Sequence, residues 1–326
     1  MMSGKNNFLS ACLKGAGQVF FMENALTGAL FFIAIGYASY ATGVWATAIG
    51  AVIGVVVATL TAKALDCDES SVQSGLFGFN GILVGVALPT FIAVSPQLWL
   101  YIVVGAAVST VFTAAFSATL TKSWGIPGST GPFVLTAWLF LAGAYSFGSL
   151  EVIGETPKLA TDYALGNASI PGAMEFVQIF FRNIGQVYLL GDAVSGVIVL
   201  AGIFIASRPA GIAAVAGSLI ALVVAIVMRA DPAVVAQGLY GFSPVLTAIA
   251  ISVIFLKTSR NVIFYAGLAT VTTVFVQGAF DALMAPVGLP SYTAPYVLTM
   301  YLFIVPKKLM APHPHKSVAS HIVTEK

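Results

Sequence analysis

Long apolar stretches alternate with short polar breaks along this chain of 326 residues. Each stretch is close to the ~20 residues that an α-helix needs to cross the hydrocarbon core of a bilayer. The sequence contains ten such apolar stretches, at roughly 24–41, 43–62, 76–94, 97–121, 131–150, 192–207, 209–228, 239–257, 262–283 and 294–305. The pattern predicts an all-α polytopic membrane protein with five spans on either side of a central connection.

Three blocks of the sequence occur twice. The segment 125–136 returns as 288–299, with seven identities in twelve positions at an offset of 163. The segment 75–83 returns at the same offset as 238–246, and Gly-Gln18-Val returns at an offset of 168 as Gly-Gln186-Val. Because an odd number of spans in each half inverts the second half, we predict two inverted five-span repeats around a central pore.

This duplication sets the domain boundaries that we expect. They are a cytoplasmic N-terminal segment (1–16), a first membrane repeat (17–150), an extracytoplasmic connection (151–184), a second inverted repeat (185–306) and a cytoplasmic tail (307–326). The first apolar run lacks a convincing cleavage site, so we interpret it as a retained segment.

Composition and charge support a membrane protein of defined orientation. Only 8% of the residues are charged, and the mean hydropathy of +0.97 excludes a soluble globular protein. With the N-terminus inside, eleven of the 14 Lys and Arg residues fall on the cytoplasmic face and three outside, as the positive-inside rule expects. We therefore expect a plasma (inner) membrane protein with both termini cytoplasmic. A net charge of +2 gives no indication of a nucleic-acid partner.

Two short segments in matching positions have helix signals but cannot span a bilayer. Asp68 and Asp231 are predicted N-caps, Pro232 is at the first helical position of the second copy, and Gly75 and Gly238 end the two helices. Such elements survive at membrane depth only when they are buried in protein or face a water-lined cavity. We favour re-entrant half-helices over ordinary interfacial loop helices.

Uncharged residues recur where a pore lining would be. They are Gln18 and Gln186, Thr130 and Thr293, and the aromatic residues Phe77, Phe79, Tyr240 and Phe242. Glutamine and threonine side chains both donate and accept hydrogen bonds. No ionisable residue recurs in these blocks, whereas an ion pathway through a membrane normally keeps ionisable groups. The lining indicates a small neutral solute that makes many hydrogen bonds.

Paired aromatic faces would form a flat slot that suits a planar solute. Thr130 and Thr293 each precede a proline and are expected to begin a span with free backbone carbonyls and a hydroxyl. Oxygens of this kind can replace the water that a solute loses on entering a pore. Each residue also has a simpler interpretation. Threonine can serve helix packing, glutamine can join helices, and aromatic residues can form core or interfacial belts.

Several motifs resemble the urea transporter family. They are Leu-Lys14-Gly-Ala-Gly-Gln18-Val with Asn24 and Gly28, Gly-Leu-Phe-Gly-Phe79-Asn80-Gly-Ile-Leu83-Val-Gly, Asn183-Ile-Gly-Gln186-Val-Tyr, and the two threonine blocks. The resemblance covers residues 10 to 306. It implies a homotrimer in the lipid bilayer with one pore through each protomer, between inverted halves. It also implies channel-like transport down the urea gradient with no cofactor.

The resemblance also implies roles for individual residues. Gln18 and Gln186 would be at two urea sites near the pore mouths, and Thr130 and Thr293 would line the centre beside backbone oxygens. The apolar walls of the slot would come from Phe21, Leu189, Phe79, Leu83, Phe242 and Leu246. Asn24 becomes Asp192 in the second half, where an N-cap or helix-pairing role is expected instead of a substrate contact.

Other functions fit these residues less well. A channel for ammonia or short amides is the nearest alternative, but an ammonium channel would favour histidine in the pore, and every histidine is in the tail. A water or glycerol channel would show twin Asn-Pro-Ala motifs, which are absent. An intramembrane enzyme would need a nucleophile with a base or paired aspartates, and Asp281 stands alone in its span. Ion-coupled transport lacks ionisable pairs, and a scaffold would not need repeated polar residues at membrane depth.

Overall fold

A computed structural model describes residues 7–154, 157–159, 161 and 170–306 of the chain. The predicted cytoplasmic tail, with its three histidines, lies outside these residues. The chain divides into two compact units between Ile153 and Gly154. Within the described residues the protein is helical, with no β-strand beyond isolated bridge residues such as the antiparallel pair Ile92 and Val152. The all-α fold class is therefore confirmed.

Seven helices are described in the first unit and seven in the second. The first contains α1 (Phe8–Gln18), α2 (Ala25–Thr42), α3 (Trp45–Ala64), α4 (Glu69–Gln73), α5 (Gly78–Phe91), α6 (Pro96–Trp124) and α7 (Gly131–Ala144). The second contains α8 (Ala173–Gly185), α9 (Ala193–Ala206), α10 (Arg208–Val227), α11 (Pro232–Ala236), α12 (Phe242–Phe255), α13 (Arg260–Val287) and α14 (Ala294–Ile304).

The prediction of ten full spans is wrong in helix length. Five helices, α2, α3, α6, α10 and α13, have the length and apolar composition to cross a bilayer, and the count is six if the bent pair α8 and α9 forms one span. The other predicted stretches contain shorter helices, such as α5 and α7 with 14 residues each. At 1.5 Å per residue, 14 residues reach only about 21 Å. Part of each apolar run forms turns instead of helix, and hydropathy does not distinguish the two.

The short helices α4 and α11 have the predicted caps. The Asp68 carboxylate accepts a hydrogen bond from the Ser71 backbone N–H at 2.8 Å, and Asp231 accepts one from the Ala233 N–H at 2.9 Å. Gly75 and Gly238 follow these helices with φ of +83° and +79°, a backbone region that favours glycine. Each short helix therefore ends in a sharp turn that leads directly into α5 or α12.

Helices α1 and α8 were not predicted, because no long apolar run marks them. Each has a buried face and ends at a turn that contains one of the recurring glutamines. In the first unit that turn leads to α2, whose N-cap Asn24 accepts a hydrogen bond from the Thr27 N–H. The ends of these two helices therefore determine the positions of Gln18 and Gln186.

Candidate functional site

Gln18 ends α1 and reaches the end of the short helix α4. Its Nε2 donates a hydrogen bond to the carbonyl oxygen of Ser74, the C-cap of α4, at 2.9 Å. The side chain is half-buried, and no described residue donates a hydrogen bond to its Oε1. Because the amide N–H group is held by a helix end, the amide oxygen is left to accept a hydrogen bond from a solute.

Gln186 makes the same contact in the second unit. Its Nε2 donates to the carbonyl oxygen of Gln237, the C-cap of α11, at 2.9 Å. Ser74 and Gln237 are 163 residues apart in the sequence, so donor and acceptor both belong to the duplication. Both glutamines therefore present an oriented acceptor.

Phe21 and Leu189 follow these glutamines in the left-handed region of backbone conformation, with φ of +65° and +59°. A positive φ is uncommon for a large side chain and marks a turn that the surrounding structure holds in place. Both side chains are half-buried. The two turns therefore place an apolar side chain three residues after each glutamine, in the same strained conformation.

Four of the predicted slot-wall residues occupy the first two turns of α5 and α12. Leu83 and Leu246 are fully buried, Phe242 is 6% exposed and Phe79 is half-buried. Phe79 and Leu83, like Phe242 and Leu246, are four residues apart and share a helix face. Within each unit the phenylalanine and leucine thus form one continuous apolar surface.

Thr130 and Thr293 are the N-cap residues of α7 and α14, as predicted from the prolines that follow them. Each is 2% exposed, and neither hydroxyl caps its own helix. Each follows a residue with φ of +47°, Ser129 or Tyr292. We call residues 128–131 the Thr130 turn and residues 291–294 the Thr293 turn.

The expectation of free carbonyl groups in these turns is wrong for several of them. The Gly128 carbonyl accepts from the Gly131 N–H at 3.0 Å, and the Thr130 carbonyl accepts from the Val134 N–H at 3.0 Å. The equivalent bonds in the second unit are 3.2 and 3.0 Å long. The start of a helix uses these oxygens for its own first turn, although a carbonyl has a second lone pair for a solute.

Buried amides beside the two turns were not predicted as functional residues. Asn80 is fully buried and Gln277 is 1% exposed, and each hydrogen-bonds to the turn in its own unit. The sequence offered one indication of these residues, since Asn80 in the first half is replaced by Ser243 in the second.

Asp192 accepts a hydrogen bond from the Ser195 N–H at 2.8 Å, which confirms the predicted N-cap role. Among the described residues no cluster of three His, Cys, Asp or Glu side chains could hold a metal ion.

The chain matches a known protein family over nearly its whole length. Residues 9–308 match the family described as urea transporter. The chain is 27% identical over 303 residues to Urea transporter 1 of Ovis aries, and 28% identical over 307 and 308 residues to those of Capra hircus and Mus musculus. Each alignment covers 91% of this chain and 77% of the relative. With its apolar helices and this match over nearly its whole length, the chain is an integral membrane protein that belongs to the urea transporter family.

Proposed function

We propose that this protein conducts urea across the membrane down the urea concentration gradient. The observation that carries the proposal is the repeated orientation of Gln18 and Gln186, whose amide N–H groups are bonded to helix-end carbonyls. Their Oε1 atoms can then accept from an N–H donor. Urea is a flat molecule that carries N–H donors on two sides and one carbonyl acceptor, so it matches an acceptor flanked by apolar surface.

The remaining site residues divide into wall and centre. Phe21, Leu189, Phe79, Leu83, Phe242 and Leu246 are proposed to form the apolar walls, which exclude hydrated ions because these residues cannot replace the lost water. Thr130 and Thr293 are proposed to supply hydroxyl groups that hydrogen-bond urea where water is excluded. A urea N–H left without a partner there would cost about 1–3 kcal/mol.

The named relatives favour urea over ammonia or short amides as the solute, because each is described as a urea transporter. Urea transport in the proposal is channel-like and involves no enzymatic conversion. We further propose a homotrimer in the plasma (inner) membrane, with both termini cytoplasmic.

The flux experiment uses purified protein in proteoliposomes. Stopped-flow light scattering should show saturable urea uptake that follows the urea gradient and does not change when a pH or sodium gradient is imposed. Glycerol and methylammonium are the comparison solutes, and both should permeate far more slowly. A requirement for either ion gradient would exclude the channel mechanism.

The proposed orientation can be tested by thiol labelling in intact cells. The native Cys12 and Cys67 thiols are replaced by serine, and single cysteines are introduced at Lys158 or after Lys316. Lys158 is exposed and belongs to the proposed external connection. An impermeant maleimide should label the first cysteine from outside and not the second. The reverse pattern would reject the proposed topology.

A further inference from the structure

Asn80 connects α5 to both sides of the Thr130 turn. Its Nδ2 donates to the Ser129 carbonyl oxygen at 3.3 Å, and its Oδ1 accepts from the Phe133 N–H at 3.1 Å. These two residues flank Thr130 in the sequence. Asn80 also donates to the Thr113 hydroxyl of α6 at 3.0 Å. A single buried side chain thus links the residue before Thr130 to the first turn of α7 after it.

The bond to Phe133 has a clear cause. The first N–H groups of a helix have no partner within the helix, and the threonine hydroxyl does not cap α7. Pro132 has no N–H, the Gly131 N–H bonds to Gly128, and the Val134 N–H bonds to Thr130. The remaining N–H group of the first turn, that of Phe133, donates to the Asn80 side chain. The Thr130 side chain is therefore not needed as the N-cap of α7.

The second unit lacks this asparagine. Ser243 is at the equivalent position, fully buried, and its hydroxyl has no hydrogen-bond partner among the described residues. A serine side chain is too short to make the three contacts of Asn80. The Thr293 turn must therefore be held in another way.

Gln277 of α13 supplies the amide in the second unit. Its Nε2 donates to the Ser291 hydroxyl at 2.7 Å and to the Asp281 carboxylate at 2.9 Å. Ser291 is 5% exposed and begins the Thr293 turn. Tyr101 of α6 and Tyr265 of α13 make the same hydrogen bond and align the two helices at an offset of 164, so the first-unit equivalents of Gln277, Asp281 and Ser291 are Thr113, Ser117 and Gly128. Each unit has one of the two amide contacts and lacks the other.

Phe116 crowds the Thr130 turn in the first unit. A Cβ atom on Gly128 would lie 3.0 Å from the Phe116 Cβ, and one on Gly131 would lie 2.7 Å from the ring of Phe116. The first unit therefore has glycine at position 128 and lacks the hydroxyl that receives the Gln277 bond in the second unit.

We infer that Asn80 and Gln277 are positioning residues for Thr130 and Thr293, and that each holds the threonine turn of its own unit from a different helix. The inference rests on the proposed role of the threonine hydroxyls in urea passage. Neither amide needs to touch urea. Each acts by holding the backbone next to a threonine, so its loss should matter only while that threonine has its hydroxyl group.

The test is a double-mutant cycle on urea flux per purified channel. Asn80→Leu and Gln277→Met keep the approximate side-chain size and remove the hydrogen bonds. Each should slow urea flux roughly 5- to 150-fold. Asn80→Leu/Thr130→Val should be no slower than Thr130→Val, and Gln277→Met/Thr293→Val no slower than Thr293→Val. A residue with a general structural role would instead lower flux further in the valine background.

Milder variants keep the test decisive if the leucine or methionine variant does not fold. Thr113→Val removes one acceptor of Asn80, and Ser291→Ala removes the acceptor that Gln277 uses on the turn. Each should slow flux about 2- to 12-fold and lose that effect in the matching valine background. The matched controls are Thr119→Val and Thr272→Val, because the hydroxyl groups of these threonines donate to Ala115 and Leu268 of their own helices.

The outcomes separate this inference from the proposed function. Wild-type flux in Thr130→Val and Thr293→Val would contradict the threonine site itself. Slow flux in those variants, with wild-type flux in the amide, Thr113 and Ser291 variants, would overturn the inference alone. Multiplying effects in the double variants would also overturn it.

Discussion

The crossing of α3 and α5 in the first unit differs from the crossing of α10 and α12 in the second. Gly50 and Gly54 of α3 face Gly85 and Gly81 of α5, and a Cβ atom on any of the four would collide with a backbone oxygen of the other helix. At the same four positions the second unit has Ala213, Gly217, Ala248 and Pro244. Small residues let helix backbones approach closely in a membrane. The first unit has glycine at all four positions of the crossing, and the second has glycine at one.

The difference shows which parts of the duplication tolerate change. The backbone path is repeated closely: left-handed residues recur at Asp66 and Arg229 with φ of +51° and +53°, and at Gly125 and Gly288 with φ of +64° and +65°. The glutamine contacts are repeated within the same distance. Helix packing and the support of the threonine turns differ. The glutamines, the threonines and the Phe-Leu pairs of α5 and α12 are the same in both units, whereas Phe21 becomes Leu189 and the residues that support the threonine turns differ.

The largest expected effect breaks the α3–α5 crossing. In Gly50→Ala the new methyl group would meet the Gly85 carbonyl oxygen, which belongs to backbone and cannot rotate away. Overpacking of this kind costs about 1–3 kcal/mol, occasionally more. The variant should melt well below wild type and give a low yield of folded protein on size-exclusion chromatography in detergent.

Ala213→Gly is the matched control in the second unit. It removes a methyl group that α12 already accommodates, at a cost of about 1 kcal/mol for glycine in a helix. Equal melting temperatures for Gly50→Ala and wild type would show that the glycine crossing is not needed for stability.

The next effect concerns the centre of the proposed site. In Thr130→Val/Thr293→Val the side chains keep almost the same shape and each loses one hydrogen-bonding group. If these hydroxyls meet urea where permeation is limited, a loss of about 1–3 kcal/mol slows flux roughly 5- to 150-fold. Stopped-flow urea uptake into proteoliposomes, normalised to reconstituted protein, measures this.

Helix packing alone predicts another result for the same protein. A packing threonine replaced by valine should leave transport almost unchanged and lower the melting temperature slightly. Urea flux equal to wild type from a well-expressed double variant would assign both hydroxyls to packing.

Local signals in the sequence predicted the features that depend on one or two adjacent residues. Asp68, Asp231 and Asp192 are at their predicted N-caps, and the prolines after Thr130 and Thr293 mark the starts of α7 and α14. A helix cap depends on residues within one helical turn, so cap positions can be predicted from the local sequence.

Features that depend on distant contacts could not be predicted in this way. Gln18 lies 56 residues from its acceptor Ser74, and Asn80 lies 53 residues from Phe133. The lengths of α5 and α7 were overestimated because turn residues such as Leu76 and Phe77 are as apolar as helix residues. Buried turns in a membrane protein are as apolar as the helices beside them, so hydropathy does not show where a helix begins or ends.

The smallest effect sharpens the comparison where the two units agree most. Gln18→Met and Gln186→Met remove the acceptor Oε1 and keep a side chain of similar length. Both glutamines are half-buried, so each loss should correspond to an ordinary hydrogen bond of about 0.5–1.5 kcal/mol and slow urea flux about 2- to 12-fold. Gln73→Met is the matched control, because the Gln73 side chain donates to Glu69 within α4. The contacts of Gln18 and Gln186 have the same geometry, so the two variants should be impaired to a similar degree in urea efflux and influx. A large effect of one variant, with wild-type flux in the other, would mean that the repeated hydrogen bond orients a urea acceptor in one unit and serves only to join helices in the other.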